Sequence, residues 1–166
     1  CPSRGLGDVY KRQAFGGGIG IISVCDIAVS LDSIKLALTE AKLGLIPATI
    51  SPYVVLKVGS SNAIDMFTSA RTFSPQDGQK IGLIKSFTTS DKIDDTIPNE
   101  ILPFLKNAPA ALSASKKLVR NLSAKIDENT IRFTVEALAD VWENPEAIEG
   151  INAFFEKRKP NWLMEK

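Results

Sequence analysis

The chain has 166 residues, of which 44% are hydrophobic, which is enough to build one core of ordinary domain size. Its 20 Lys and Arg residues balance 19 Asp and Glu residues to a net charge of +1, so the basic surplus that nucleic-acid binding requires is missing. The sequence contains no histidine, which excludes Ser-His-Asp triads, Cys-His pairs, HExxH zinc sites and histidine general bases among these residues.

The two cysteines, Cys1 and Cys25, are too few for a zinc site or a disulfide framework. They predict free thiols in a reducing compartment, most simply the cytoplasm or an organelle matrix. The most apolar stretch, residues 19–29, is interrupted by polar residues and is too short to span a bilayer. We therefore expect a soluble, unsecreted protein that binds no metal, nucleic acid or membrane.

Residues 1–13, CPSRGLGDVYKRQ, show no apolar period and lead directly into AFGGGIG. A glycine-rich turn normally follows a structured element such as a strand, so this start is unusual. The string resembles translated adaptor sequence that contaminates assembled metagenomic reading frames. We expect residues 1–13 to be a non-native leader and the remainder to be a piece of a longer protein, and we exclude them from the fold prediction.

The first chemical feature is the glycine run Gly16, Gly17 and Gly18, with Gly20 close behind. Such a run permits positive φ and close backbone approach, and it can present N–H groups to an anion or a developing oxyanion. The spacing fits neither a GxGxxG fingerprint nor a P-loop. A tight packing turn and an oxyanion cradle both remain open. The following residues, 19–29, predict a buried element that is either a strand or a helix.

Glu40 lies among small and apolar residues in LALTEAKLG, an environment that would desolvate a carboxylate and suit it to act as a general acid. The alternative is a surface glutamate paired with Lys42. Asp26 is either catalytic or satisfies a backbone turn, and the second is the more common role for such a residue. The cluster EKRK at residues 156–159 is either a phosphate contact or a solvated helix end.

Three helix starts follow the same local logic, a polar N-cap residue followed by a proline at the first helical position. They are Ser51 with Pro52, Ser74 with Pro75, and Asn144 with Pro145. Asp77 completes a capping-box pattern with Ser74.

The carboxyl-terminal part of the chain predicts further helices. Residues 102–138 are mostly helical by period, with breaks near Pro109 and Asp127. In the last helix Ile148, Ile151 and Phe155 share one face, and Pro160 stops it.

Three segments occur in a fixed order: AFGGGIGIISVCDIAVS, LALTEAKLGLIP and SARTFSPQDGQKIGLI. Over residues 14–87 they resemble the enoyl-CoA hydratase/isomerase, or crotonase, superfamily, and the helical end FFEKRKPNW also fits it. The resemblance implies an α/β fold, with a truncated crotonase-type ββα spiral core at residues 14–100 and an α-helical trimerisation region at residues 101–166. Family members are much longer, so we expect the early strands and one side of the active site to be absent.

The resemblance also implies roles for individual residues. Gly17 would supply a backbone N–H of the oxyanion hole at the start of a helix running through residues 21–24, with Gly16, Gly18 and Gly20 lining the substrate. Glu40 matches the family glutamate that exchanges a proton with the carbon next to the thioester. The second glutamate of two-glutamate hydratases would fall at position 20, where this chain has glycine. No cofactor is implied, because coenzyme A is part of the substrate.

A further departure is PATIS at residues 47–51, where many relatives have a PGxGG loop that lines the acyl pocket. We expect Pro47 and Ser51 to contact the substrate. Ser51 is either a plain N-cap or the start of a helix whose N-terminus receives a carboxylated acyl chain. The segment LGLIPATISPYV looks most like the bacterial methylglutaconyl-CoA or isohexenylglutaconyl-CoA hydratase branch.

Three functions follow. The full-length protein is expected to be a lyase that adds water to a 2-enoyl-CoA, or else a Δ3,Δ2-enoyl-CoA isomerase that uses one glutamate. The third possibility is an inactive fragment or interaction module. The partners are an acyl-CoA thioester and, in a homotrimer or hexamer, further copies of the chain.

We expect residues 14–50 to be loosely held and cleaved before the helical tail, because Ile19, Ile21, Ile22 and Val24 would present an uncovered apolar face.

Overall fold

The computed structural model describes residues 13–163, so the predictions for Cys1 and for residues 1–12 lie outside the described part of the chain. Four strands of three residues each alternate with helices in the first half. The strands are β1 (Gln13–Phe15), β2 (Val29–Leu31), β3 (Lys35–Ala37) and β4 (Ser86–Thr88). The helices are α1 (Gly17–Val24), α2 (Ser51–Ser69), α3 (Pro75–Lys80), α4 (Ile93–Leu105), α5 (Pro109–Leu122), α6 (Glu128–Trp142) and α7 (Pro145–Phe155), with 3₁₀ turns at Glu40–Leu43 and Asn161–Leu163.

The strands form two parallel pairs. In the first pair Gln13 of β1 lies opposite Lys35 of β3, and α1 belongs to the connection between them. In the second, Val29 of β2 lies opposite Ser86 of β4, with α2 and α3 in the crossover. Parallel neighbours need such long crossovers, so this pattern of short strands and intervening helices is an α/β architecture, as predicted.

The main hydrophobic cluster is formed by residues 14–84, and α7 adds small buried residues outside it. The most completely buried large side chains of the cluster come from α1, from β3 and the residue after it, from α2, and from the loop after α3; they are Ile19, Leu36, Leu38, Val54 and Leu83. Helices α4, α5 and α6 contribute no buried residue. Within residues 13–163, no helix has the length and apolar character needed to cross a membrane.

The stretch at residues 19–29 resolves into a helix followed by a strand, which answers the strand-or-helix question. Ile19 is fully buried, but Ile21 and Val24 are exposed. The expected uncovered apolar face is therefore confirmed for Ile21 and Val24 and wrong for Ile19, while Ile22 is partly buried against the core. Cys25 ends α1 as a free thiol, and its Sγ donates to the Ile21 carbonyl oxygen at 3.2 Å.

All three predicted helix starts are confirmed to within one residue. Ser74 and Asp77 form a complete capping box, and the Asn144 side chain accepts from the Glu146 N–H. At the third start only the N-cap role is wrong, because Ser51 is already the first residue of α2 and its hydroxyl donates to the Ala48 carbonyl oxygen at 2.8 Å. The reason is a turn at residues 48–50, which begins the winding of the chain before the serine.

The breaks predicted near Pro109 and Asp127 are confirmed as the starts of α5 and α6. The predicted face of α7 is wrong. Ile148 and Phe155 are 56% and 76% exposed, and the helix instead buries its small residues, Ala147, Gly150 and Ala153. Helix α7 packs so closely against the chain beneath it that only small side chains fit between them.

Candidate active site

Gly16 forms a sharp turn between β1 and α1. Its φ of +50° and ψ of −115° are open to glycine and strongly unfavourable for any other residue. Its N–H donates to the Ala37 carbonyl oxygen at 3.2 Å, and its own carbonyl accepts from the Ile19 N–H at 2.9 Å. The turn therefore joins the ends of β1 and β3 to the start of α1.

Gly17 is the first residue of α1 and is exposed. A Cβ placed on it would meet nothing within 4 Å, and within residues 13–163 its amide has no hydrogen-bond acceptor. The first N–H groups of a helix lack internal partners, and the helix dipole makes that end favourable for negative charge. The amide of Gly17 is thus available to an anion, whereas Gly18 and Gly20 are buried.

Glu40 opens the 3₁₀ turn Glu40–Leu43, which we call the Glu40 turn. A Cβ on Gly16 would lie only 3.1 Å from the Glu40 Oε1 atom, so the carboxylate rests directly on the turn that leads to Gly17. Its other oxygen, Oε2, is buried and has no hydrogen-bond partner in the part of the chain that is described. Among those residues Lys42 forms no ion pair with it, so the expected surface pair does not form.

An unpartnered buried carboxylate oxygen is costly, and proteins tolerate such groups mainly where a ligand or a reaction uses them. Glu40 and the Gly17 amide together offer one proton acceptor and one oxyanion donor at the same turn. That combination suits proton transfer next to a carbonyl group whose oxygen gains negative charge.

Gly20 lies one helical turn beyond Gly16 on α1. A Cβ there would be 2.5 Å from Ile50 Cγ2 and 3.0 Å from Ile50 Cβ, so the side chain of Ile50 sits on the glycine. Glu40 therefore contacts the residue just before α1, and Ile50 contacts the helix itself four residues later. Gly20 and the PATIS segment, the two departures from the family pattern, therefore pack against each other through Ile50. The spacing of the residues in the sequence did not indicate this contact.

Pro47 and Ser51 hold the backbone around Ile50 through hydrogen bonds. Pro47 is buried, and its carbonyl oxygen accepts from the Ile50 N–H at 3.3 Å and from the Ser51 N–H at 3.0 Å. The Ser51 hydroxyl is already engaged by Ala48. The Pro47 carbonyl and the Ser51 N–H and hydroxyl are therefore used to stabilise the loop itself.

An open apolar groove of about 460 Å³ adjoins this loop. Thr49, Pro52 and Tyr53 form one wall, and α6 forms the other with Ile131, Val135, Leu138 and Trp142 among its residues. The groove was not anticipated from the sequence, because its two walls are distant along the chain.

The remaining candidates are structural. Asp26 is exposed and forms an ion pair with Lys116 of α5, which fits neither the catalytic nor the turn interpretation. Arg158 of the EKRK cluster pairs with Glu149 and Glu156, and its hydrogen bonds lower the pKa of Glu149. No three His, Cys, Asp or Glu side chains between residues 13 and 163 are grouped as metal ligands.

Comparison with known proteins gives a consistent result. The family model for enoyl-CoA hydratase/isomerase matches residues 11–165. An enoyl-CoA hydratase of Alternaria alternata is 34% identical over 121 residues, covering 72% of this chain and 40% of that protein. The crystal structure of an enoyl-CoA hydratase from Mycobacterium avium is 32% identical with a TM-score of 0.78, covering 90% of this chain and 60% of that one.

A crystal structure of an enoyl-CoA hydratase from Shewanella pealeana is 38% identical with a TM-score of 0.63, over 91% of this chain and 57% of that one. A relative from Thermus thermophilus, 32% identical, is covered over 59% of its length. The chain therefore spans well under two thirds of these relatives.

Proposed function

The chain belongs to the enoyl-CoA hydratase/isomerase, or crotonase, family, and from that premise we propose that it carries the oxyanion-binding and proton-transfer residues of a 2-enoyl-CoA hydratase. The observation that carries the proposal is the contact of the Glu40 carboxylate with Gly16, directly before the free amide of Gly17. The substrate is a thioester of coenzyme A, and no separate cofactor takes part.

In this mechanism the Gly17 N–H donates to the thioester oxygen as that oxygen becomes an enolate, and the dipole of α1 favours the negative charge. The oxygen of a water molecule bonds to C3, the double bond is lost, and C2 gains a proton. Glu40 takes a proton from the water and delivers one to C2. With glycine at position 20, Glu40 has to serve both steps.

A specific observation favours the second candidate, a Δ3,Δ2-enoyl-CoA isomerase. The Ile50 side chain lies against Gly20, so hydrocarbon occupies the position where the resemblance would place a second glutamate. In isomerisation Glu40 removes a proton from C2 and returns it to C4, so the double bond shifts and no water needs to be activated. A site with hydrocarbon in place of a second carboxylate suits this reaction better than hydration.

We further propose a branched, glutaconyl-type acyl chain, on the resemblance of LGLIPATISPYV to the methylglutaconyl-CoA branch. The apolar groove beside residues 49–53 has a size and lining suited to an acyl chain. Pro47 and Ser51 would then contact the substrate through the loop they stabilise.

We propose that the complete protein assembles as a homotrimer or a dimer of trimers in the cytoplasm. Supporting this, α4, α5 and α6 leave large apolar side chains uncovered, among them Leu105, Leu122 and Phe133, at 75%, 80% and 70% exposure. Exposed apolar area on this scale marks a surface that is covered by another chain or another part of the protein.

The decisive assay offers the complete protein crotonyl-CoA and 3-methylglutaconyl-CoA in deuterated water. A new hydroxyl group supports hydration, and a shifted double bond without one supports isomerisation. Glu40→Gln should abolish either reaction, while Glu136→Gln on the exposed face of α6 should not. No product from either substrate or from a 3-enoyl-CoA, or an unchanged rate in Glu40→Gln, contradicts the proposal.

A third possibility stands beside the two enzymes, namely a fragment or interaction module without activity. We expect residues 1–166 by themselves to be inactive, because losing one oxyanion donor alone costs about two to three orders of magnitude in rate. Measurable turnover by the isolated chain would contradict this.

A further inference from the structure

The Glu40 turn rests on α7 through backbone contact. Gly150 is buried in α7, and a Cβ placed on it would lie 2.5 Å from the Leu43 carbonyl carbon and 2.9 Å from the Leu43 Cα. These are main-chain atoms, which cannot rotate aside as the end of a side chain can. Any residue larger than glycine at position 150 must therefore push the turn and the helix apart.

The contact is reciprocal. Gly44 ends the Glu40 turn with a φ of +68°, and a Cβ on it would lie 2.6 Å from the Glu146 carbonyl oxygen and 2.7 Å from its carbon. The neighbouring residue of α7, Ala147, is fully buried. Two glycines, one on each partner, thus let a helix and a turn approach main chain to main chain.

Helix α7 is itself held firmly at both ends. Asn144 caps its start by accepting from the Glu146 N–H at 2.9 Å. Near its end, Glu149 accepts two hydrogen bonds from Arg158, at 2.6 and 2.9 Å, and a third from the Asn161 N–H at 3.0 Å. Both ends of the helix are therefore stabilised by the residues that flank it.

Glu40, by contrast, is held through its main chain. Its carbonyl oxygen accepts from the Leu45 N–H at 3.0 Å, within the turn. Its carboxylate makes no hydrogen bond to any residue from 13 to 163, and Oε2 is buried without a partner. The position of the carboxylate over Gly16 therefore depends on where the turn lies, and the turn lies where α7 allows.

We propose that Gly150 is a positioning residue for Glu40, setting the height of the carboxylate above the Gly16 turn. The role of Glu40 in proton transfer rests on the proposed function; the geometric claim does not. Gly150→Ala displaces the turn, and a misplacement of about 1 Å in a reacting group costs on the order of 100-fold in rate. The loss falls on kcat, because the Gly17 amide and the acyl groove are untouched.

The test combines two readouts on the complete protein. Glutamate is labelled with ¹³C at the carboxyl carbon, and the Glu40 signal is assigned by its disappearance in Glu40→Gln. Gly150→Ala is compared with two controls: Asn152→Ala, on the exposed side of α7, and Met66→Ala, which lowers stability from the core of α2 away from the turn.

We expect Gly150→Ala to shift the Glu40 signal and to lower kcat about 100-fold with little change in KM. Met66→Ala should lower the melting temperature without moving the signal, and Asn152→Ala should change neither. An unmoved Glu40 signal in folded Gly150→Ala overturns the proposal. If that variant does not fold, Ala147→Gly removes a buried methyl group from the same contact without a clash, and an unmoved signal there overturns the proposal equally.

The two proposals fail separately. A wild-type protein that turns over no enoyl-CoA, yet whose Glu40 signal shifts in Gly150→Ala, disproves the proposed function and supports the positioning role. If the wild type is active, and Gly150→Ala keeps full kcat with an unmoved Glu40 signal, the proposed function is supported and the positioning role is disproved.

Discussion

The Ile50 side chain lies directly on Gly20, so close that a Cβ on the glycine would be 2.5 Å from Ile50 Cγ2. Real Cβ atoms do not approach a carbon this closely, so Ile50 can occupy this position only because residue 20 has no side chain. Neither position can gain bulk unless the other loses it. A chain with a glutamate at position 20 would need a smaller residue at position 50.

Gly20→Ala should lower the free energy of unfolding by about 1–3 kcal/mol, the usual cost of overpacking a filled site. In an Ile50→Ala background the same substitution should cost less, because Cγ2 is gone. Urea unfolding of the four proteins gives the coupling energy, expected at about 0.5–3 kcal/mol. An Ile21→Ala background serves as control, since Ile21 is exposed on the same helix. Equal costs in all backgrounds would show that Ile50 does not press on Gly20.

Gly16→Ala and Gly17→Ala form a matched pair of neighbouring substitutions. At Gly16 the φ of +50° strains any side chain, and the Cβ would meet Glu40 Oε1 at 3.1 Å. A residue forced into such a backbone conformation costs about 1–3 kcal/mol. At Gly17 the Cβ would point into open space, so the same change should leave stability unchanged or raise it. Thermal unfolding of both variants decides this, and equal melting temperatures would contradict the assignment.

Asp77 should make stability depend on pH. The Ser74 hydroxyl, followed by the Ser74 N–H, holds the pKa of this carboxyl below its usual value. Since the folded pKa lies below the unfolded one, the stabilisation is present above the unfolded pKa and is lost as the pH falls through the folded pKa. Wild type should therefore exceed Asp77→Asn in stability near neutrality, and the difference should shrink below about pH 3.9.

Ser74→Ala removes the hydroxyl, the larger of the two causes of the lowered pKa, and keeps the backbone N–H. In that background the pH dependence of the Asp77→Asn effect should become smaller. If the stability difference between wild type and Asp77→Asn is the same at acid and neutral pH, the capping box does not act through the charge of Asp77.

Local chemistry was predictable from the sequence, and distant contact was not. The capping residues Ser74 and Asn144 act within three positions of themselves, so their patterns are visible in a single sequence. The role of Glu40 came from a family resemblance, since its flanking residues alone left a surface ion pair open.

The contacts that shape the site are between main chains or between residues far apart. The contact of Gly150 with Leu43 involves no side chain on the glycine, so nothing in the residue types marks it. For the same reason the large apolar residues of α7 suggested the wrong face. Small residues appear neutral in a hydrophobic pattern, yet they are the ones that permit closest approach.

Burial reverses the expected order of proteolysis. The segment from residue 14 to residue 50 contains Ile19, Leu36 and Leu38, which are fully or almost fully buried, whereas α4, α5 and α6 bury no residue. Local stability follows buried contact, so in the isolated chain α4 to α6 should be cut first. Limited proteolysis with mass spectrometry reads out the order. Early cleavage between residues 14 and 50, with α4 to α6 intact, would instead support the sequence-based prediction that residues 14–50 are loosely held.

The parallel pairing of β2 with β4 has a consequence for how the chain folds. Lys85 N–H donates to the Ala28 carbonyl oxygen at one end of the pair, and Asp32 N–H donates to that of Thr88 at the other. Helices α2 and α3 lie between these partners along the chain, and closing so long a loop costs chain entropy before any contact is gained. Strands β1 and β3, separated by a much shorter connection, can meet early. The β2–β4 pair should therefore close late in refolding, and until it does the facing edges of β2 and β4 are open to other chains.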